Sequence, residues 1–327
     1  MARADDPDVS VIVPAHNAEA TIPKLFAALD RMTFDGAWEL IVVDDASTDA
    51  TPDLARQYGA NVVRLDGQSG PAGARNAGIA AASAPLIAFT DADCEPVPKW
   101  LAAIVRGLGE ADLVTGPVRP TPDVPRGPFD RTLHISSPSP LFETANLGIR
   151  REFVDRVGGF EPFVPSDDGT PVGLRPSVDQ GHFGEDAVFA WRAQRDGARV
   201  AFAEDALVHH AVFPRDAWGY VAEHWRRRFF PSLVREIPEL RSRVFGRYFL
   251  ARHTALFDLA LAGILGSLAS RRLLPLGATL PYLTKRFSWR GGGPSRVLRR
   301  NAAFAAADAV GFAGLVRGSI AARRILL

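Results

Sequence analysis

The sequence predicts an α/β fold in which helices flank a mostly parallel sheet, followed by a helical C-terminal region. Short β-branched runs alternate with segments of helical periodicity through the first hundred residues. Two of the predicted strands, LIVV at 40–43 and LIAF at 86–89, are apolar throughout, as strands covered on both faces are. Polar residues follow directly after these strands, which predicts a ligand-binding edge at their carboxyl ends.

The predicted elements alternate in chain order. Strands are predicted at 9–14, 38–45, 60–66 and 85–90, and helices at 20–32, 47–59, 71–84 and 99–108. Pro23 and Pro52 stand in first helical turns, where proline is tolerated, and Gly59 ends the second helix. Strands that alternate with helices in this way pair in parallel through right-handed crossovers.

The middle of the chain is less regular. Residues 115–185 are rich in proline and glycine, and 165–184 is predicted to be a long loop of the kind that forms lids or binding sites. A helix is predicted at 185–197, followed by a strand region at 199–210 that ends in His209 and His210.

The charge is divided unevenly along the chain, although the net charge is only +1. Residues 226–327 hold 19 of the 38 lysines and arginines but only four of the 37 acidic residues. We therefore predict two domains, an acidic α/β domain over 1–225 and a basic, apolar helical region over 226–327. Because the basic region is also rich in Leu, Ala, Phe and Trp, we expect an anionic membrane surface and no nucleic acid as its partner.

The uncharged runs of the basic region are each about a dozen residues long, shorter than the roughly 20 needed to span a bilayer. Asp258 and Asp308 interrupt two of them. We predict helices that pack on the body of the protein or lie in the membrane interface, and no membrane spans. Plain helical packing with solvated arginines is the alternative.

The single cysteine, Cys94, excludes an internal disulfide framework and fits a reducing compartment. Its isolation also argues against a structural zinc site. The apolar run near the N-terminus is short and follows acidic residues, so no signal peptide is expected.

Two pairs of carboxylates follow predicted strands. Asp44 and Asp45 end the second strand, while Asp91 and Asp93 follow the fourth. Four carboxylates at one edge of a sheet repel one another unless a cation or a donor-rich ligand lies among them. Mg²⁺ and Mn²⁺ prefer such oxygen ligands and commonly bind phosphate as well.

Five segments in this order resemble the family 2 glycosyltransferases of the GT-A fold. They are VSVIVPAHNAEATI, ELIVVDDASTDAT, GPAGARNAGIAAASAPLIAFTDADCEPVP, NLGIRREFVDRVGGFEPF and GEDAVFAWRAQRDG, and the resemblance covers residues 8–215. It implies a Rossmann-like nucleotide-diphospho-sugar transferase domain, a nucleotide-sugar donor, a divalent metal and transfer of the sugar with inversion.

The resemblance also implies roles for individual residues. The donor-binding positions are Pro14, His16, Asp44, Asp45, Arg75 and Asp91. Asp93 matches the metal-binding acid, and Asp186 matches the general base that takes the proton of the acceptor hydroxyl. Two adjacent histidines on a strand point to opposite faces, so at most one of them faces the crevice, and we assign His210 to the metal.

Asp186 also has a reading that is independent of the family. Inverting transfer needs one carboxylate as a base and no covalent nucleophile. The alternative is that Glu185 and Asp186 only begin a helix, where acidic residues are favoured. Gly158, Gly159 and Phe160 match a turn on the acceptor side, and WRRR at 225–228 matches the motif of processive synthases poorly, which favours addition of a single sugar.

Two other functions remain open. A sugar-phosphate nucleotidyltransferase would open with a Gly-rich, basic loop after the first strand, where this chain has PAHNAEAT. A catalytically inactive, membrane-associated scaffold would not need the acidic residues together. We expect a peripheral enzyme on the cytoplasmic face of the plasma membrane that transfers a sugar to a saccharide or lipid-linked acceptor for cell-envelope synthesis.

Overall fold

The computed structural model describes residues 6–163, 183–287 and 293–327. These residues form two compact units. The first contains 6–125, 131–163 and 183–213, and the second contains 126–130, 214–287 and 293–327. The chain passes into the second unit after Phe213, somewhat before the predicted domain boundary at 225/226. Most of the predicted loop at 165–184 lies outside the described residues.

The first unit contains all ten strands of the described chain. They are β1 (Val9–Ala15), β2 (Trp38–Asp44), β3 (Asn61–Arg64), β4 (Leu86–Phe89), β5 (Cys94–Pro96), β6 (Leu113–Thr115), β7 (Val118–Pro120), β8 (Leu147–Arg150), β9 (Val200–Phe202) and β10 (Val208–His210). Seven strands form the central sheet in the order β3-β2-β1-β4-β8-β6-β9. The other three form a small sheet in the order β5-β10-β7.

The central sheet is mostly parallel, which confirms the predicted fold class. β3, β2, β1 and β4 are parallel neighbours, and β6 and β9 are parallel as well. β8 runs antiparallel to both β4 and β6, which the sequence analysis did not anticipate. β1 is buried along nearly its whole length, as a central strand with helices on both faces should be.

Six helices accompany the sheets of the first unit. They are α1 (Ile22–Asp30), α2 (Thr51–Tyr58), α3 (Gly70–Ala81), α4 (Trp100–Leu108), α5 (Arg151–Val157) and α6 (Glu185–Arg195), with a 3₁₀ turn at Thr144–Asn146. Gly59 ends α2 with a φ of +92°, as predicted from the sequence. Gly78 allows α3 to lie directly on β1, since a Cβ at this position would collide with Ile12.

The second unit is helical in its described residues. Its helices are α7 (Ala217–Glu223), α8 (Phe230–Glu236), α9 (Arg252–Ser270), α10 (Leu280–Arg286) and α11 (Pro294–Ala322), with 3₁₀ segments at His224–Phe229, Pro238–Ser242 and Leu274–Thr279. α11 packs against the segment His224–Phe229, and Gly318 allows close approach because a Cβ there would meet the Arg228 carbonyl.

A buried carboxylate joins the helices of the second unit. Asp308 on α11 accepts hydrogen bonds from the Tyr282 hydroxyl at 2.8 Å and from Arg286 Nε at 2.7 Å. Arg227 Nη1 lies 3.8 Å from the same carboxylate. Asp308 is 2% exposed, and these partners offset the free-energy cost of burying its carboxylate.

Two helices of this unit are longer than the uncharged runs in the sequence. α9 has 19 residues and α11 has 29, and each contains an 18-residue window with a mean hydropathy of 1.3. By length and composition alone, both could cross a bilayer. The lengths of the uncharged runs are shorter than the lengths of the helices because each helix continues through a charged residue, Asp258 in α9 and Asp308 in α11.

Candidate active site

The carboxyl ends of β2, β1 and β4 form one edge of the central sheet because these strands are parallel neighbours. β1 ends at Ala15, β2 at Asp44 and β4 at Phe89. His16, Asp45 and Asp91 follow these ends within one or two residues. The topology therefore brings residues that are far apart in the chain to the edge where ligands of such sheets bind.

His16 is exposed but held in one orientation. Its Nδ1 lies 2.6 Å from the carbonyl oxygen of Asp45, and its Nε2 lies 3.1 Å from Asn17 Nδ2. A carbonyl oxygen only accepts hydrogen bonds, so Nδ1 carries the proton and Nε2 accepts from the Asn17 amide. Pro14, another of the donor-binding positions implied by the resemblance, is half-buried within β1.

Asp44 and Asp45 are both buried and both hold backbone in place. Asp45 accepts hydrogen bonds from the backbone N–H groups of Ser69 at 2.6 Å and Gly70 at 2.9 Å, at the start of α3. Asp44 accepts one from the backbone N–H of Ser47, and Arg64 Nε lies 3.6 Å from its other oxygen. In this structure, the two carboxylates therefore order the loop after β2 and the beginning of α3.

Arg75 on α3 is the centre of a buried ionic cluster. Its guanidinium lies 2.9 Å from Asp186 Oδ1, 3.4 Å from Asp91 Oδ1 and 3.6 Å from Glu185 Oε1. The residue is 5% exposed, and its buried Nε has no hydrogen-bond partner among the described residues. One cation thus faces three carboxylates and keeps a further N–H donor available.

Asp91 and Asp93 follow β4 on the turn into β5. Their oxygens and the Cys94 sulfur lie within 4.8 Å of one another. Burial raises the pKa of Asp91, and the charge of Asp93 adds to the effect, while Arg75 opposes it. Burial, with the two nearby carboxylates, also raises the pKa of the Cys94 thiol. Hard divalent cations prefer the oxygen ligands of such a group to sulfur.

The small sheet brings His210 beside this turn. β10 pairs with β5 so that His210 lies opposite Cys94, and His210 Nε2 is 3.5 Å from Asp93 Oδ2. His210 Nδ1 lies 2.7 Å from the Ala211 carbonyl and therefore donates to it. Nε2 therefore faces a carboxylate oxygen, an arrangement that a cation shared between the two side chains would make favourable.

Asp186 lies in the first turn of α6, after Gly184 in the left-handed conformation. One oxygen pairs with Arg75, and the other accepts hydrogen bonds at 3.0 Å from both the backbone N–H and the hydroxyl of Thr144. Burial raises the pKa of Asp186, and these partners only partly oppose the shift. The Asp186 side chain forms no capping hydrogen bond at the start of α6 and instead joins the ionic cluster around Arg75.

Three neighbours of this cluster were missed by the sequence analysis. Thr144 and Glu143 lie in the irregular stretch after residue 115, where no periodicity identifies them, and burial raises the pKa of Glu143. Asn76 exchanges two hydrogen bonds of 2.7 Å with the backbone of Phe160. Asn76 stands beside Arg75 in the ARNAG segment, which was the available signal. It joins α3 to the Gly158–Phe160 turn.

The chain resembles known proteins in its sequence and its fold. Residues 10–163 match the family model for glycosyl transferase family 2. Glycosyltransferase AglE of Haloferax volcanii is 30% identical over 225 residues, which cover 64% of this chain and 68% of AglE. The chain belongs to glycosyltransferase family 2. This chain is also 36% identical over 119 residues to the dodecaprenyl-phosphate galacturonate synthase of Rhizobium johnstonii. The match covers 33% of this chain and 35% of that enzyme.

Two solved structures resemble the glycosyltransferase along most of its length. The mannosyltransferase PcManGT of Pyrobaculum calidifontis, solved with GDP-Man and Mn²⁺, has a TM-score of 0.55 at 20% identity and covers 97% of this chain and 88% of its own. TarS 1–349 of S. aureus, solved with UDP-GlcNAc, has a TM-score of 0.50 at 18% identity. The match covers 96% of this chain and 91% of the TarS chain. These likenesses confirm the predicted fold.

Proposed function

We propose that the glycosyltransferase moves a sugar from a nucleotide-diphosphate-sugar donor to an acceptor hydroxyl by a metal-dependent single displacement with inversion. The observation that carries the proposal is that Asp91 and Asp186 converge on Arg75, with Asp93 next to Asp91. A metal-binding acid pair, a buried cation and a carboxylate of raised pKa are the groups such a displacement needs. The relatives with bound GDP-Man and UDP-GlcNAc support a donor of this class.

Asp186 serves as the general base in this proposal. A base must be unprotonated yet basic enough to take a proton near neutral pH, and a pKa raised by burial moves a carboxylate in that direction. The hydrogen bonds from Thr144 fix one oxygen, and Arg75 holds the other. Thr144 therefore orients the carboxylate, while Arg75 must share its charge between the base and the donor phosphates.

Asp93 and His210 would hold the divalent cation, with Asp91 adjacent. The fit is supported by the oxygen donors after β4 and by the lone pair of His210 Nε2 facing Asp93 Oδ2 at 3.5 Å. Mn²⁺ or Mg²⁺ at this position would neutralise the charge of a diphosphate leaving group. The buried, unpartnered Nε of Arg75 offers a further donor for a phosphate oxygen.

His16 and Pro14 would line the pocket for the nucleobase, and Asp44 and Asp45 would shape it. The hydrogen bonds of His16 with Asp45 and Asn17 fix the ring in the exposed position that stacking on a base requires. The two buried carboxylates hold the backbone around this pocket, so we assign them to its support.

The acceptor belongs, in this proposal, to cell-envelope glycan or glycolipid synthesis, and the enzyme acts peripherally at the cytoplasmic face of the plasma membrane. The excess of basic residues after Arg226 and the apolar helices α9 and α11 support this location. The name of the relative from Rhizobium johnstonii, a dodecaprenyl-phosphate galacturonate synthase, also supports a lipid-linked substrate.

Calorimetric titration of UDP, GDP and dTDP, with and without Mn²⁺, tests the donor site. We expect one nucleotide to bind in a metal-dependent manner to the wild type and not to Asp93→Asn. Asp53→Asn, at an exposed position on α2, is the matched control and should bind as the wild type does. If well-folded wild-type protein binds none of the nucleotides, the donor-site proposal fails.

Hydrolysis of the matching nucleotide sugar without acceptor then tests catalysis. The enzyme should release free sugar slowly with Mn²⁺. Before its anomers interconvert, this sugar should have the anomeric configuration opposite to that of the donor. Release no faster than the uncatalysed background, from protein that binds nucleotide, would favour an inactive scaffold. Retention of configuration would refute the single displacement.

A further inference from the structure

Large apolar side chains are concentrated on one exposed part of the second unit. Of the 17 large hydrophobic residues that are exposed in the described chain, nine lie between 259 and 283. They are Leu259, Ile264, Leu265, Leu268, Leu273, Leu274, Leu276, Leu280 and Leu283. By contrast, the first unit holds only two of the 17 within its described residues, Val124 and Val200. Clustering of this kind marks an interaction surface.

This part of the chain is a helical hairpin, which we call the leucine hairpin (residues 259–283). α9 forms one arm, and the 3₁₀ segment Leu274–Thr279 and α10 form the returning arm, which packs along α9. The two arms are in close contact, since a Cβ on Gly263 would lie 2.6 Å from the Pro275 carbonyl oxygen. The hydrogen bond from Tyr282 to Asp308 fixes the returning arm to α11. The leucines are therefore exposed on an ordered structure.

The tip of the hairpin is the most exposed part. All seven residues from 268 to 274 are exposed, and Leu273 and Leu274 reach 80% and 89%. Arg271 and Arg272 stand in the middle of this stretch, and Lys285 lies exposed near the base of the returning arm. The sequence from 259 to 286 contains no acidic residue.

We propose that residues 268–274, the tip of the leucine hairpin, insert into the interfacial region of a bilayer that contains anionic phospholipid. Leu268, Leu273 and Leu274 would enter the acyl boundary, while Arg271 and Arg272 extend to the headgroup phosphates. Apolar surface and positive charge at one site are the two signals that stable interfacial binding requires. This inference rests on the membrane location proposed above and names the element that makes the contact.

A phospholipid surface fits the tip better than a protein groove does. The exposed leucines occupy the turn and both arms of the hairpin. A groove that binds a helix contacts one apolar stripe along that helix, and these leucines are not confined to such a stripe. The arginine pair lies next to the leucines, without acidic residues to balance it, which is the charge that an anionic leaflet attracts.

Site-specific fluorescence tests the insertion directly. The native Cys94 is fully buried, so Leu274→Cys and Ile320→Cys each introduce one accessible thiol for an environment-sensitive dye. Ile320, on α11, is 74% exposed and serves as the matched control. With vesicles of equal parts phosphatidylcholine and phosphatidylglycerol, we expect a blue shift and quenching by lipid-borne quenchers at 274 and neither change at 320. Pure phosphatidylcholine vesicles should give a much smaller change.

Vesicle flotation of unlabelled protein gives an independent readout. Leu273→Ser with Leu274→Ser should lower the vesicle partition coefficient about tenfold or more, because two apolar side chains are lost from the lipid contact. The control pair Ile320→Ser with Ile325→Ser, also exposed, should change it less than threefold, on the order of normal variation at exposed sites. Metal-dependent nucleotide binding should be unaffected in both variants.

The outcomes separate this inference from the broader proposal. If the wild type binds vesicles but the dye at 274 does not respond, the tip is not the contact and the inference is wrong. If the wild type ignores vesicles of both compositions while it binds nucleotide, the membrane location fails as well. A dye response that needs no vesicles and accompanies dimer formation would assign the hairpin to a second copy of the chain.

Discussion

Replacing Arg75 by methionine removes the one cation of the buried cluster and keeps much of its apolar volume. Its guanidinium lies 2.9–3.6 Å from Asp186, Asp91 and Glu185. At an effective dielectric constant of about 20, each of these attractions amounts to about 5 kcal/mol, part of which is offset by the burial of the charges. Loss of one partner from a buried ionic group costs about 3–5 kcal/mol net. We therefore expect Arg75→Met to lower the free energy of unfolding by that amount.

The assay is thermal unfolding in the presence of a chelator, measured from about pH 8 to about pH 5. At about 2–4 °C per kcal/mol for a unit of 150–250 residues, the midpoint should fall by about 6–20 °C near pH 8. Burial already raises the pKa of Asp91 and Asp186, and loss of Arg75 raises both further. A carboxyl with a raised pKa in the folded state destabilises the fold above that pKa and stops doing so once protonated. The difference from wild type should therefore shrink as the pH falls.

Arg56→Met is the control, because Arg56 forms an exposed ion pair with Asp53 on α2. This substitution should change the free energy of unfolding by about 1 kcal/mol or less. A loss for Arg75→Met that is equally small would contradict the ionic role of this residue. So would a large loss that stays constant with pH, since Arg75 would then act through packing on Phe160, whose ring centroid is 5.5 Å from the guanidinium carbon.

Three further results are expected, and the third has its own control variant. Asp186→Asn should lower transfer by about 10²–10⁴-fold while nucleotide affinity in calorimetry stays within a few-fold, and parallel loss of both would indicate a structural role. In the wild type, kcat/KM should fall on the acid side at a pH above the usual range of an aspartate, because burial raises the pKa of Asp186 and the base must be unprotonated; a profile that stays flat to about pH 4 would exclude this assignment. Asp308→Asn should cost about 3–5 kcal/mol in chemical unfolding because Arg227 and Arg286 lose their buried partner. Asp258→Asn should be neutral or stabilising, since both Asp258 oxygens are buried without a hydrogen-bond partner among the described residues, and a comparable loss there would show that the method does not separate the two sites.

The parallel half of the sheet could be predicted because its strands carry strong signals. β1 and β2 are seven residues long and mostly apolar, and α3 has small residues at helical spacing. β6 and β8 have three or four residues each and lie in the irregular middle of the chain, where periodicity does not separate them from loops. Their pairing depends on contacts distant in sequence, which no local pattern records.

The site divides in the same way. Asp91 and Asp93 stand at the end of an apolar strand, so their position at the sheet edge follows from the topology. Thr144 comes from a 3₁₀ turn within an irregular stretch, and its contact with Asp186 spans 42 residues. Such a contact is set by the packing of α6 beside this turn, which appears only once the chain is folded.

The unequal charge of the cluster has a consequence for what can enter it. Three carboxylates, Asp91, Glu185 and Asp186, lie within 3.6 Å of the Arg75 guanidinium, and Asp93 lies next to Asp91. Bare anions such as inorganic phosphate or citrate meet a net negative field there and are repelled. A nucleotide that carries a divalent cation has less net negative charge and is repelled less. Under the proposed metal-dependent mechanism, the charge of this crevice would favour metal complexes of the nucleotide-sugar donor over bare metabolite anions.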